Sequence, residues 1–176
     1  MDGRYGDSTR SVKAVGSEPV PGSPITQPPV PASAYHIPRD EDDAIDSYGR
    51  RSNPTWRQLE SAIAELENAT QALTFGSGMA AIATTLRVLA KPGSRVVVPA
   101  DGYYQVRRYA QEYLVPQGIS VTEAACADMC TAAADADVVL AETPSNPGLD
   151  VVDLHRLALI CRARGSTLVV DNTTAT

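Results

Sequence analysis

Ser166-Thr-Leu-Val-Val-Asp-Asn-Thr-Thr174 decides the fold of this chain. Leu168, Val169 and Val170 form an unbroken apolar run, the pattern of a strand buried on both faces of a parallel sheet. The run delivers Asp171 to the strand's carboxyl end, where open α/β sheets place their ligand chemistry. A carboxylate there is costly to bury unless it meets a partner. A protonated heterocyclic nitrogen of a ligand is one such partner, and a helix N-terminus in need of a cap is the other.

Working back from that strand, the same pattern recurs. Asp153 caps a helix that carries Leu154, Leu157, Ala158 and Cys161 on one face, and Gly165 stops it. Residues 138–142 read as a strong strand that opens into the proline-stiffened loop Thr143-Pro-Ser-Asn-Pro-Gly148. Residues 119–122 and 95–98 read as two more strands, separated by a helix over residues 103–115 that Pro116 and Gly118 break. A strand over residues 71–75 leads into Gly76-Ser77-Gly78 and a helix over residues 79–89, ended by Lys91-Pro92-Gly93. Upstream, Thr55-x-x-Gln58 reads as a capping box for a helix with Trp56, Leu59, Ile63 and Leu66 at three- and four-residue spacing. Strands alternating with helices predict βαβ units, hence an α/β fold with a mostly parallel sheet and helices on both faces.

Composition narrows the function. A net charge of −6 lacks the basic face that a nucleic-acid partner needs. No apolar run approaches the ~18–20 residues of a membrane span, and Met-Asp-Gly-Arg-Tyr-Gly at the start lacks a signal peptide's apolar region, so a cytoplasmic protein with no membrane partner is expected. Cys126, Cys130 and Cys161 show no framework spacing. Cys126-x-x-x-Cys130 has no second Cys/His pair to complete a metal site, since His36 and His155 are distant in sequence. Reduced thiols and no metal follow. Lysine is scarce, with only Lys13 and Lys91. Residues 1–47 carry no period: seven of the thirteen prolines lie between Pro19 and Pro38, and Glu41-Asp42-Asp43 adds a charge run. Such a segment is an extended arm, either loose or laid over a partner.

Several short motifs bear chemistry. Gly76-Ser-Gly78-Met-Ala-Ala81 allows backbone N–H groups at a helix N-terminus to face an anion. The same spacing fits a dinucleotide fingerprint, with Asp101 as the ribose acid, so a nicotinamide-dependent dehydrogenase using Gly76-x-Gly78 is an alternative; tight packing of a βα turn is another. Tyr48-Gly-Arg50 combines a phenol with a guanidinium fork that matches phosphate oxygens, or is a solvated loop. Tyr103 and Tyr104 follow a strand end, where an aromatic face can cover a planar ligand or pack into the core. Asn146 offers an amide from a stiff loop, though asparagine is equally common in plain turns.

In this order, five stretches resemble the Cys/Met-metabolism family of pyridoxal-phosphate (PLP) enzymes: Tyr48-Gly-Arg-Arg-Ser-Asn-Pro-Thr55, Phe75-Gly-Ser-Gly-Met-Ala-Ala81, Asp101-Gly-Tyr-Tyr104, Glu142-Thr-Pro-Ser-Asn-Pro147 and Val170-Asp-Asn-Thr173. That family includes cystathionine γ-lyases and γ-synthases, and its fold is the aspartate-aminotransferase-like large domain of fold type I. The resemblance implies that Tyr48 and Arg50 reach the PLP phosphate of a neighbouring subunit, as in a homo-oligomer with shared active sites. It implies that Gly78 and Met79 give N–H groups to the phosphate and that Asn146 approaches the ring hydroxyl. Tyr103 would stack on the ring and act as a catalytic proton donor, and Asp171 would hold the ring nitrogen protonated.

Two departures stand out. Many members have Tyr-Gly-Gly-Thr where this chain has Tyr103-Tyr104-Gln105-Val106. The family's Ser-x-Thr-Lys motif, source of the Schiff-base lysine, would follow Asp171 by some tens of residues and does not occur here; neither Lys13 nor Lys91 is placed to substitute. The expectation is therefore an arm over residues 1–47, an incomplete PLP-binding large domain over residues 48–176 and no C-terminal small domain. Such a chain would be inactive alone, or a non-catalytic truncated subunit. The whole protein would be a trans-sulfuration enzyme acting at the γ-carbon of sulfur amino acids. It would either cleave cystathionine or join an activated homoserine to cysteine.

Overall fold

The computed structural model describes residues 6–13, 20–37 and 46–175. The charge run Glu41-Asp42-Asp43 lies outside the described residues. Two compact units divide the chain, one within residues 1–74 and one within residues 75–176.

In the first unit, the arm carries a short helix, α1 (Asp7–Lys13), that the sequence did not announce. Its proline-rich stretch is extended and tied to the start of α2 (Pro54–Leu66). Asn53 Oδ1 accepts the Thr55 N–H at 2.8 Å, while its Nδ2 donates to Val30 O at 3.0 Å. The N-cap is thus Asn53, two residues before the expected Thr55. Pro54, which lacks an N–H and has a helix-ready φ, takes the first helical position. The Thr55 hydroxyl is engaged elsewhere, accepting the Val30 N–H at 2.9 Å. Arg57 donates to Asp46 as an ion pair, which lowers the Asp46 carboxyl from its ordinary value. Helix α2 buries Ala62 and Ala64, yet Trp56, Leu59, Ile63 and Leu66 stay exposed along one stripe.

The second unit is a four-stranded, all-parallel sheet in the order β2-β1-β3-β4: β1 (Arg95–Pro99), β2 (Ser120–Ala124), β3 (Val138–Glu142) and β4 (Thr167–Asp171). Successive side chains of a strand point to opposite faces. Val97, Val139 and Ala141 accordingly pack with Met129, Leu157 and Cys161 on one side. Val96, Val98, Val138 and Leu140 pack with Leu86, Val106 and Leu114 on the other. The first face is covered by α5 (Met129–Ala133) and α6 (Leu154–Arg164). The second is covered by α3 (Gly78–Leu89), by α4 (Tyr104–Tyr109) and by the π-helical turn that continues α4 over Ala110–Leu114. Asp153 caps α6 by accepting the Arg156 N–H at 2.9 Å, and Gly165 ends it with φ 79°.

Two expectations are corrected. Residues 71–75 form no strand: among the described residues they have no ladder neighbour, and Leu73 and Phe75 are exposed. Strand β4 is parallel as expected but only partly buried, because it pairs on one side alone, with β3. No helix among the described residues is long and apolar enough to cross a membrane.

Candidate functional site

After β1 the chain moves outward to β2, then crosses back to β3 and β4, so the switch in direction falls between β1 and β3. In open α/β sheets the crevice at the carboxyl ends beside such a switch is where ligands bind. A cavity of about 370 Å³ lies there. It is lined by Gly78 and Met79 at the start of α3, Tyr103 beyond β1, Asn146 beyond β3 and Asp171 at the end of β4. Five of the seven residues singled out in the sequence therefore share one cavity. Tyr48 and Arg50 belong to the first unit, where the Arg50 guanidinium sits 5.0 Å from the centre of the Tyr48 ring.

The start of α3 is open to an anion. Ser77 is the N-cap, and its hydroxyl accepts the Ala80 N–H at 3.1 Å. The Gly78 and Met79 N–H groups precede the helical ladder and have no partner among the described residues. A Cβ built on Gly76 or Gly78 meets nothing within 4 Å, so the glycines are not there to fit tight packing within the chain. Bare backbone facing a cavity at a positive helix end suits a phosphate.

In the same cavity, Asp171 Oδ1 accepts two bonds from Thr173, its N–H at 3.0 Å and its hydroxyl at 2.6 Å. Those bonds fix the carboxylate and leave Oδ2 without a partner among the described residues. Glu142 faces Asp171 in register on the neighbouring strand. It is 5% exposed, and its Oε2 accepts the Tyr103 N–H at 2.7 Å. Burial pushes the Glu142 carboxyl above its ordinary value; the Tyr103 bond works against this, while the charges of Asp171 and Asp101 add to it.

The loops are tied to one another. Asn146 N–H donates to Asp101 O at 3.2 Å, and Asp101 Oδ2 accepts the Cys126 N–H at 2.9 Å. Ser145, fully buried, pairs with Asp150 through both its N–H and its hydroxyl. Burial, followed by the Asp101 charge, pushes the Cys126 thiol up to about 11. Lys91 sits just past the C-terminal end of α3, whereas the cavity is at the N-terminal end of that 12-residue helix, about 18 Å away by helical rise.

The sequence pattern of the Cys/Met metabolism PLP-dependent enzymes matches residues 9–176. The chain belongs to this family. It is 44% identical to a putative cystathionine γ-lyase of Streptomyces coelicolor over 97% of this chain and 45% of the relative. Its fold matches the crystal structure of the cystathionine γ-lyase CalE6 from Micromonospora echinospora with a TM-score of 0.83 and 34% identity, covering 96% of this chain and 45% of that one. It also matches a cystathionine γ-synthase from Xanthomonas oryzae pv. oryzae, solved in complex with cystathionine, with a TM-score of 0.82 and 29% identity over 96% of this chain and 44% of that one. The chain thus spans under half the length of these relatives.

The fold is that of the fold-type-I PLP enzymes, and the residues present fit the cofactor. Open amides at a helix start suit its phosphate, a fixed carboxylate in the same cavity suits its ring nitrogen, and a phenol and an amide also line the cavity. The nicotinamide alternative requires its glycine turn to leave a strand of the sheet, but residues 71–75 join no ladder among the described residues. The family match sets it aside.

Proposed function

We propose that the protein carrying this chain is a PLP-dependent trans-sulfuration enzyme that breaks the bond between sulfur and the γ-carbon of cystathionine and releases cysteine. The observation that carries this reading is that the Gly78 and Met79 amides and the fixed carboxylate of Asp171 line one cavity. The identity of 44% to a relative named as a cystathionine γ-lyase selects the substrate class. When bound, PLP supplies an electron sink for negative charge at the substrate's α-carbon.

The chain's own residues have separate tasks. Gly78 and Met79 donate to the phosphate, with the positive end of α3 behind them. Asp171, held by Thr173, carries the charge that keeps a proton on the ring nitrogen. Asn146 orients the ring through its hydroxyl. Tyr103, at the cavity wall, would face the ring and supply a proton to the leaving sulfur. Tyr48 and Arg50 of a second copy clamp the phosphate, so the working form is a homo-oligomer; the guanidinium already packed on the phenol suits such a clamp.

The test uses the full-length protein loaded with PLP. Cystathionine should yield free cysteine, and the yield should vanish when PLP is removed. A loaded protein that releases none, yet makes cystathionine from cysteine and an activated homoserine, would be a synthase, the activity named for one of the similar solved structures. Absence of both reactions would refute the proposal.

A further inference from the structure

The buried carboxylate of Glu142 lines the cavity, and none of the roles assigned above uses it. The four residues before it in β3 are apolar, and packing alone would continue that run. A carboxylate in such a place is costly unless a specific bond needs it. Its Oε2 takes the Tyr103 N–H at 2.7 Å, a short bond of the charge-assisted kind. Tyr103 is the residue before α4 and has no side-chain cap of its own. The bond therefore ties the last residue of the β1–α4 turn to the adjacent strand β3. Gly102 makes the approach possible, since a Cβ there would stand 2.5 Å from Oε2. From the other side, Arg107 Nη1 donates to Gly102 O at 2.9 Å.

We propose that Glu142 is a positioning residue whose carboxylate holds the Tyr103 backbone so that the phenol stays at the cavity wall. This rests on the assignment of Tyr103 to the site proposed above. Glu142 touches neither substrate nor cofactor in this role. It acts through Tyr103.

The experiment compares Glu142→Gln and Glu142→Ala in the full-length, PLP-loaded protein. Three readouts are taken: hydrogen exchange of the Tyr103 amide, visible circular dichroism of the bound cofactor, and kcat and KM. In Glu142→Ala the Tyr103 amide should exchange about tenfold to a hundredfold faster, the scale of one lost bond to a charged acceptor. The dichroic band should change amplitude, and kcat should fall about tenfold or more while KM stays within about threefold, the split expected when a group is misplaced in the transition state. Glu142→Gln should restore all three, because its side-chain oxygen accepts the same bond.

If Glu142→Ala does not fold, Gly102→Ala replaces it, since it pushes Oε2 away from the amide; the same local gain in Tyr103 exchange is expected. Unchanged Tyr103 exchange and dichroism in Glu142→Ala would overturn the proposal. So would faster exchange spread evenly over β3 and α4, or failure of glutamine to rescue. If the wild-type protein lacks cystathionine activity, the functional reading fails, and the exchange and dichroism readouts still decide the role of Glu142.

Discussion

Replacing Gly102 with alanine would put a methyl carbon 2.5 Å from Glu142 Oε2 and 2.8 and 2.9 Å from Cγ and Cβ of Pro99. Ordinary contact begins at 3.4 Å, so Oε2 must retreat by about 0.9 Å. That shift stretches the 2.7 Å bond to Tyr103 N–H by up to about 0.9 Å, the limit at which it is lost. Overpacking of this kind costs roughly 1–3 kcal/mol, and a lost bond to a charged acceptor about 1.5–3 kcal/mol. The two share one relaxation, so the expected destabilisation is about 2–4 kcal/mol. Urea unfolding of the full-length protein, followed by far-ultraviolet circular dichroism, measures it. Gly76→Ala is the control, because its Cβ meets nothing within 4 Å, and it should stay within about 0.5 kcal/mol of wild type. A Gly102→Ala protein as stable as that control would show that the crowding at Oε2 is not real, and the reasoning about Glu142 would fall with it.

Other substitutions and titrations probe different parts. Asp171→Ala in the full-length, PLP-loaded protein should lower kcat by at least about a hundredfold, the cost of removing a fixed charge from a reacting centre; unchanged turnover would remove Asp171 from the site. Asp153→Ala should destabilise by about 1 kcal/mol through loss of the α6 cap, measurable by thermal unfolding. With its thiol pushed up to about 11, Cys126 should alkylate slowly at pH 8, with a rate rising about tenfold per pH unit; a plateau near pH 9 would contradict its burial. Asp46 is held below its ordinary value by Arg57. Its contribution to stability is present above pH 3.8 and is lost as pH falls through the lowered value, and Arg57→Gln should move its titration midpoint upward in a carboxyl-carbon NMR titration.

Local signals were legible where they are self-contained. Strand β3 lies at residues 138–142 as read, and α6 begins after Asp153 and ends at Gly165, because caps and apolar runs are written in neighbouring residues. What depends on distant chain was not. Residues 71–75 have the composition of a strand, but a strand exists only with a ladder partner, which composition cannot announce. The apolar run of β4 resembles that of β3, and only sheet order makes one partly exposed and the other fully buried. Helix α5, five residues rich in alanine, is too short to show a period. In the site, Asp171 is legible as a carboxylate closing an apolar run. Val-Val-Leu-Ala-Glu142 is the same pattern one strand earlier, so Glu142 was as legible in the sequence as Asp171.

The ties among the strand-end loops have a consequence for mutational history. Asp101 holds Asn146 through its carbonyl and Cys126 through its carboxylate, while Glu142 holds Tyr103 and Gly102 leaves room for Glu142. Residues that share partners do not contribute independently. Changes at positions 101, 102, 126, 142 and 146 should therefore show epistasis: an alteration tolerated at one depends on what stands at the others. The departure at Tyr104-Gln105-Val106 lies directly beside this linked set. Restoring the family's usual residues there one at a time would test a background already adjusted to their absence, so the informative exchange is of the whole turn together.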